Sequence, residues 1–375
     1  MTPIFIETCA ADEIRRAGYD EIVDVRTPGE FVHDHVPAAI NLPVLDDGER
    51  HQIGTLYAED PFKARQLGAA LVAHNIGKLI ESHFAERPRG YRPLLYCWRG
   101  GYRSRSLALV LREIGWKVTV LGGGYRAFRA HVREDLTRRC QQLNFHVISG
   151  LTGVGKTRWL ETLAARGENV LNLEALGAHR GSLLGDNPMS AQPSQKYFES
   201  LIWEALEICD PTREVFVEAE SRRLGRLFCP EPLWQAMGRA RVTELAGPLC
   251  ARVDFLISEY GHLCRQPELI LERLPVLIGH HSRAQVHQWM TMVQRGQWRD
   301  FVASILVKHY DPGYRLCVHF QEPATRICLG NVTASSGFNA GCLPLPPELT
   351  VSGARSVVAR NSPSPTKAVP DKMAT

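Results

Sequence analysis

The sequence predicts an α/β protein of two consecutive parallel-sheet domains, the second a phosphate-loop domain ending in a helical part. Three observations carry this. Short β-rich runs alternate with helical spacings through the first third of the chain, the pattern of parallel strands with helices on both faces. The run Gly150-Leu151-Thr152-Gly153-Val154-Gly155-Lys156-Thr157 lies between an apolar strand and a helix. At 375 residues, the chain is long enough for two separate cores. The expected division is residues 1–138, then 139–320, then a tail at 321–375.

In the first half, residues 21–25 form a short strand that ends at the turn Arg26-Thr27-Pro28-Gly29, and residues 35–42 lead into another extended stretch. Residues 63–76 have helical spacing, with Ala64, Leu67, Ala70 and Leu71 on one face. Leu94-Leu95-Tyr96 is an apolar strand ending at Cys97, followed by the loop Trp98-Arg99-Gly100-Gly101-Tyr102-Arg103. Ser104 then opens the apolar run of a helix. Residues 118–121 give the next strand and Gly122-Gly123-Gly124 a turn. The charged segment 129–139 reads as the link to the second half.

Cys97 is the first chemical candidate. A strand-to-helix loop aims backbone N–H groups and a helix N-terminus at the sulfur, and Arg99 and Arg103 add positive charge. All three lower a thiol's pKa, so Cys97 is expected to be largely thiolate and able to attack or carry a chalcogen atom.

In the second half, residues 145–149 form a strand that runs into Gly150, and the motif fits G-x-x-x-x-G-K-[ST] in full. Gly150, Gly153 and Gly155 let backbone N–H groups close around phosphate oxygens. Lys156 supplies a mobile charge, and Thr157 is a candidate ligand for Mg²⁺. Residues 214–220 form an apolar strand ending in acids, where Glu218 or Glu220 is a candidate carboxylate partner of the loop and a solvated strand end is the equal alternative. Ser194 caps a helix whose stripe of Tyr197, Phe198, Leu201, Ile202 and Leu206 is core. Residues 253–258 read as another buried strand, residues 283–308 as helical, and the stretch from about Gln321 onward as unstructured and without chemistry.

Composition excludes several classes. The chain is 44% hydrophobic and 22% charged. It has no apolar run of about 18 residues, so no transmembrane helix is expected. Its start lacks a secretory pattern. The ten cysteines are scattered without C-x-x-C spacing, so neither a zinc site nor a redox dithiol is expected. No metal-ligating set is assigned. The cytoplasm is the expected compartment. A net charge of +4 is compatible with nucleic acid but weak as a signal. Arg222, Arg223 and Arg226 cluster, as do His280, His281 and Arg283, and solvated helix faces give such clusters too.

Both halves together resemble one family, bacterial tRNA 2-selenouridine synthase, which joins a rhodanese domain to a P-loop domain. The rhodanese likeness rests on Asp24-Val25-Arg26, Glu30-Phe31, the run from Asp34 to Pro43, the Cys97 loop, and Gly123-Gly124-Tyr125-Arg126-Ala127-Phe128. More specific to the synthase are Val44-Leu45-Asp46, Glu49-Arg50, Gly54-Thr55-Leu56-Tyr57 and the stretch from Cys97 to Ser104. In the second half the signatures are Leu173-Glu174, His179-Arg180-Gly181-Ser182, Glu218-Ala219-Glu220-Ser221-Arg222 and His309-Tyr310-Asp311-Pro312. The likeness fades after Tyr314.

The resemblance implies a transferase acting on the wobble uridine of the tRNAs for lysine, glutamate and glutamine. A geranyl group from geranyl diphosphate is attached to the sulfur of 2-thiouridine, and selenium from selenophosphate then displaces it. Cys97 would carry selenium as Cys–S–Se⁻, and residues 150–157 would cradle the departing diphosphate. A selenophosphate-producing enzyme is an implied partner, and no membrane is. Trp98 is placed to stack on the base or, equally, to pack on its own domain. Arg222, Arg223, Arg226, His281 and Arg283 are candidate tRNA contacts. Two rival readings are a rhodanese-type sulfurtransferase with an appended ATPase, which predicts no tRNA binding, and a redox-sensing P-loop regulator, which predicts oxidation of Cys97 without turnover.

Overall fold

A computed structural model describes residues 7–181, 191–317 and 323–328. The first half holds a five-stranded sheet in the order β1-β5-β4-β2-β3, formed by β1 (Glu7–Cys9), β2 (Glu21–Asp24), β3 (Ile40–Asn41), β4 (Pro93–Tyr96) and β5 (Thr119–Leu121). Every pairing is parallel. All four residues of β4 are buried, as a strand covered by helices on both faces requires. The helix Tyr102–Ile114 buries Ser104, Leu107, Ala108 and Leu111, an i, i+3, i+4, i+7 stripe. It stops at Gly115, whose φ of +114° suits only glycine.

The second half repeats the plan with β6 (Phe145–Ser149), β7 (Asn169–Leu171), β8 (Val215–Glu218), β11 (Arg241–Ala246) and β12 (Thr325–Cys328), in the order β12-β11-β6-β8-β7. These pairings too are parallel. A hairpin of β9 (Arg223–Leu224) and β10 (Leu227–Phe228) stands apart from the sheet. Beyond β11 comes a helical part whose core holds Leu263, Ile270, Leu274, Trp289, Phe301 and Ile305.

Two expectations are corrected and two are sharpened. Residues 253–258 are not a strand but lie in the helix Leu249–Glu259, and the strand is instead Arg241–Ala246. The apolar run has buried Val253 and half-buried Leu256 at helical spacing, and Pro248 sits at the helix start. Residues 283–308 are broken by Gly296, at φ +67°, into the helices Arg283–Gln294 and Trp298–Ile305. Thr325–Cys328, assigned to an unstructured tail, pairs along β11. The rest of that tail lies outside the described residues.

The charged segment 129–139 does link the halves, and it does so as a helix. It belongs to the 19-residue helix Gly124–Gln142, which joins the two halves through a shared core. Tyr125, Phe128, Val132 and Leu136 pack in one cluster with Phe198, Ile202, Trp203 and Leu206 of the helix Gln195–Glu207. Polar contacts fix the seam. Trp203 Nε1 donates to Asp135 Oδ2 at 2.9 Å, and Arg129 pairs with Glu199. Asp34, fully buried, accepts from Tyr125 OH at 2.7 Å and from Ser200 Oγ at 3.0 Å.

Candidate functional site

Two sites emerge, one in each half. Cys97 follows β4 at the carboxyl edge of the first sheet and is buried. Ser104 Oγ, in the first turn of the following helix, lies 3.2 Å from Cys97 Sγ and 3.3 Å from Gly101 O. Its one proton serves either acceptor, so the sulfur has a hydrogen-bond donor close by. The loop carbonyls point elsewhere. Cys97 O accepts from Tyr125 N–H at 2.8 Å and Trp98 O from Arg126 N–H at 3.1 Å, satisfying orphan donors at the start of the helix Gly124–Gln142.

The N–H groups of Trp98, Arg99, Gly100 and Gly101 meet no protein acceptor among the described residues. Successive free amides of this kind make an anion-binding nest. The two arginines differ. Arg103 forms an ion pair with Glu30 at 2.8 Å, which commits its charge. Arg99 is exposed and has no partner among the described residues.

The loop depends on close approach. A Cβ on Gly124, at φ +60°, would stand 2.2 Å from Cys97 O and 2.5 Å from Gly100 N. Behind the loop, buried Arg26 grips Asp24 with Nη2 at 2.6 Å from Oδ2 and donates to Asp34 O at 2.6 Å. Its guanidinium lies 4.0 Å from the Tyr125 ring centroid. A buried, paired arginine with all its neighbours placed stiffens the layer under the loop.

In the second half, the loop after β6 leads into the helix Lys156–Ala165. Gly150, Gly153 and Gly155 all have positive φ, and a Cβ on Gly150 would sit 2.3 Å from Leu245 O. These glycines are therefore needed for the backbone path. Lys156 is buried, donates to Gly150 O at 2.9 Å, lies 3.9 Å from Glu218 and faces the Tyr314 ring at 5.3 Å. Thr157 Oγ1 lies 3.3 Å from carboxylate oxygens of both Glu174 and Glu218. A cavity of about 670 Å³ holds these groups together with Glu220, His179, Arg180, Tyr260 and His309.

Ligand atoms of Glu174, Glu218 and Glu220 lie within 4.8 Å of one another. Burial raises all three; mutual repulsion adds to it for Glu174, to about 9, and for Glu220, to about 8. Lys156 and the Thr157 hydroxyl pull Glu218 back down. Three carboxyls and a hydroxyl are an all-oxygen donor set, which fits Mg²⁺. These residues would hold the ion, whose chemistry is to neutralise phosphate oxygens.

The sequence missed Arg252, Tyr314 and the place of Glu174 beside Thr157. Arg252 is buried, donates to Thr152 O at 2.8 Å and binds Asp311 with both Nη atoms, at 3.1 and 2.5 Å. It thereby fixes the backbone of the phosphate loop from the helical part. Tyr314 OH accepts from Gly150 N–H at 3.0 Å. Only Glu174, inside a family signature, carried a signal in the sequence. The surface candidates scatter. Arg222 pairs with Glu231, and His281 Nε2 lies 3.1 Å from His309 Nδ1. Burial and the neighbouring histidines His281 and His280 lower the pKa of His309.

Beside the phosphate-loop cavity lies a second chamber of about 80 Å³, lined almost wholly by apolar side chains of the helical part, including Phe301, Val302 and Ile305. Thr152, Leu256, Tyr260 and Tyr310 line both spaces.

A buried cysteine in a nest of free amides, on a parallel sheet fused to a phosphate-loop α/β domain, defines a two-domain class built for group transfer. The family model for the rhodanese-like domain matches residues 8–131, and that for the tRNA 2-selenouridine synthase AAA domain matches residues 143–270. Proteins named tRNA 2-selenouridine synthase are similar along much of the chain. The one from Shewanella loihica is 32% identical over 78% of this chain and 86% of its own length. That from Pseudomonas fluorescens is 35% identical over 78% and 87%, and that from Psychromonas ingrahamii 34% identical over 64% and 64%. The chain thus spans just under two thirds of some relatives and most of others. It belongs to the tRNA 2-selenouridine synthase family. No helix among the described residues is long and apolar enough to cross a membrane.

Proposed function

We propose that the protein converts 2-thiouridine at the wobble position of the tRNAs for lysine, glutamate and glutamine to 2-selenouridine, in two steps at its two sites. First, the thiocarbonyl sulfur attacks C1 of geranyl diphosphate. The S–C bond forms, the C1–O bond breaks, diphosphate leaves and N3 loses its proton. Then selenium from selenophosphate replaces the alkylated sulfur. The C2–Se bond forms and the C2–S bond breaks, the geranylthiolate leaving far more readily than a thiocarbonyl sulfur does; water then cleaves the Se–P bond, releasing phosphate and 2-selenouridine.

The observation that carries this reading is the wall shared by the phosphate-loop cavity and the apolar chamber. A diphosphate ester with a hydrocarbon chain needs one polar and one apolar compartment side by side. Gly153, Gly155 and Lys156 receive the diphosphate, Thr157, Glu174, Glu218 and Glu220 would hold a Mg²⁺ whose chemistry would be to offset its charge, and Leu256 and Tyr310 lead to the chamber for the chain. The free amides around Cys97 suit an anionic selenium species, so Cys97 serves the second step.

The test is to measure the two steps separately. Lys156→Ala is expected to lose geranylation of 2-thiouridine RNA while still selenating RNA supplied already S-geranylated. Cys97→Ala is expected to do the reverse. Equal loss of both steps in both variants would refute this division.

A further inference from the structure

We propose that Tyr102, Trp98 and Arg99 form a stacking platform at the mouth of the Cys97 loop, which receives an unpaired RNA base and holds it over the sulfur. The inference rests on the reading of the substrate as tRNA and names the surface that reads it. Tyr102 is the first residue of the helix Tyr102–Ile114 and is 91% exposed. It adds nothing to the buried stripe of that helix, so the fold does not account for an aromatic ring there. Trp98 is 40% exposed. Its ring lies against Tyr125, centroid to centroid 5.2 Å and tilted by 33°.

Tyr125 is itself locked. Its hydroxyl is bound to Asp34, and the Arg26 guanidinium packs on its ring. The indole is therefore backed by a rigid layer and not free to collapse, a preorganised surface that loses little entropy on binding.

The charge is complementary. Arg99, Arg105 and Arg126 are exposed and have no acidic partner among the described residues, while Arg126 N–H binds the Trp98 carbonyl and so sits beside the platform. Exposed aromatic faces interleaved with uncommitted arginines are what a single-stranded nucleic acid takes, bases on the rings and phosphates on the guanidinium groups. A wobble base in an anticodon loop is unpaired and can turn onto such a surface.

The test uses the full-length protein and an anticodon stem-loop RNA carrying 2-thiouridine at the wobble position. Tyr102→Ala is expected to weaken RNA binding roughly fivefold to a hundredfold, the loss of one stacked base. KM for the RNA should rise with it, and Tyr102→Phe should restore both. Alkylation of Cys97 by iodoacetamide should proceed at the native rate in both variants, showing an intact loop. Binding by Tyr102→Ala within twofold of native overturns the platform and leaves the family reading standing. Failure of the native protein to retain the stem-loop at all overturns the tRNA reading itself, and the platform with it.

Discussion

Gly124→Ala tests how the cysteine site is built, because the added methyl group meets only backbone. It would stand 2.2 Å from Cys97 O, 2.5 Å from Gly100 N and 2.9 Å from Arg99 N. No flexible side chain can swing aside, so the loop must retreat by about 1 Å to reach ordinary contact. Alanine at φ +60° adds about 1–2 kcal/mol of left-handed strain. The shift also stretches the bonds from Tyr125 N–H to Cys97 O and from Arg126 N–H to Trp98 O, each contributing about 1 kcal/mol. The local cost is about 3–4 kcal/mol, concentrated under the reactive sulfur. Misplacement of this size lowers a positioned reaction by about 100-fold. The assay is selenation of pre-geranylated stem-loop RNA, with geranyl transfer measured in parallel as the internal control. Gly101→Ala is the comparison, since a Cβ there meets no atom within 4 Å and its φ is −96°. Selenation by Gly124→Ala at the native rate, or an equal fall in geranyl transfer, would show that the reasoning about the loop is wrong.

Two further predictions concern the supports of the site. Arg252→Met leaves Asp311 and the Thr152 carbonyl without their partner in a buried setting, a loss of about 3–5 kcal/mol; calorimetry should show weaker diphosphate binding and a lower melting temperature. Arg252→Lys should not rescue it, because an ammonium cannot make the two-pronged contact, and native binding in either variant would refute the role. At the seam, Asp135 is pushed up by burial but pulled below its ordinary range, to about 2, by Arg138, Arg139 and Trp203. The stability it contributes is full above its unfolded value of 3.8 and lost as pH falls from about 4 to about 2. Asp135→Asn should flatten that part of the melting-temperature profile, and an unchanged slope would show that the arginine contacts carry no weight.

Local motifs were legible in the sequence because strand, loop and helix are contiguous. The phosphate loop and the Cys97 loop each state their own geometry within a dozen or so residues. The place of Glu174 beside Thr157 was not legible. Glu174 meets Thr157 only because β7 and β8 pair, Leu171 opposite Val217, which sets the end of one strand beside Glu218. Arg252 was hidden by the misreading of its helix as a strand, since a run such as Val253-Asp254-Phe255-Leu256-Ile257 satisfies both periods over so short a window.

The helix Gly124–Gln142 shows a different limit. Its buried positions Tyr125, Phe128, Val132 and Leu136 keep helical spacing, yet the arginines and glutamates between them made it look like a linker. At 19 residues it spans about 28 Å, holding the Cys97 loop with its first turn and Trp203 of the second half with Asp135 just past its middle. The placement of the sulfur therefore depends on the core between the halves. Cutting the chain after residue 138 would leave Phe128, Val132 and Leu136 facing water, and the apolar surface that sets the angle of the helix under Cys97 would be lost.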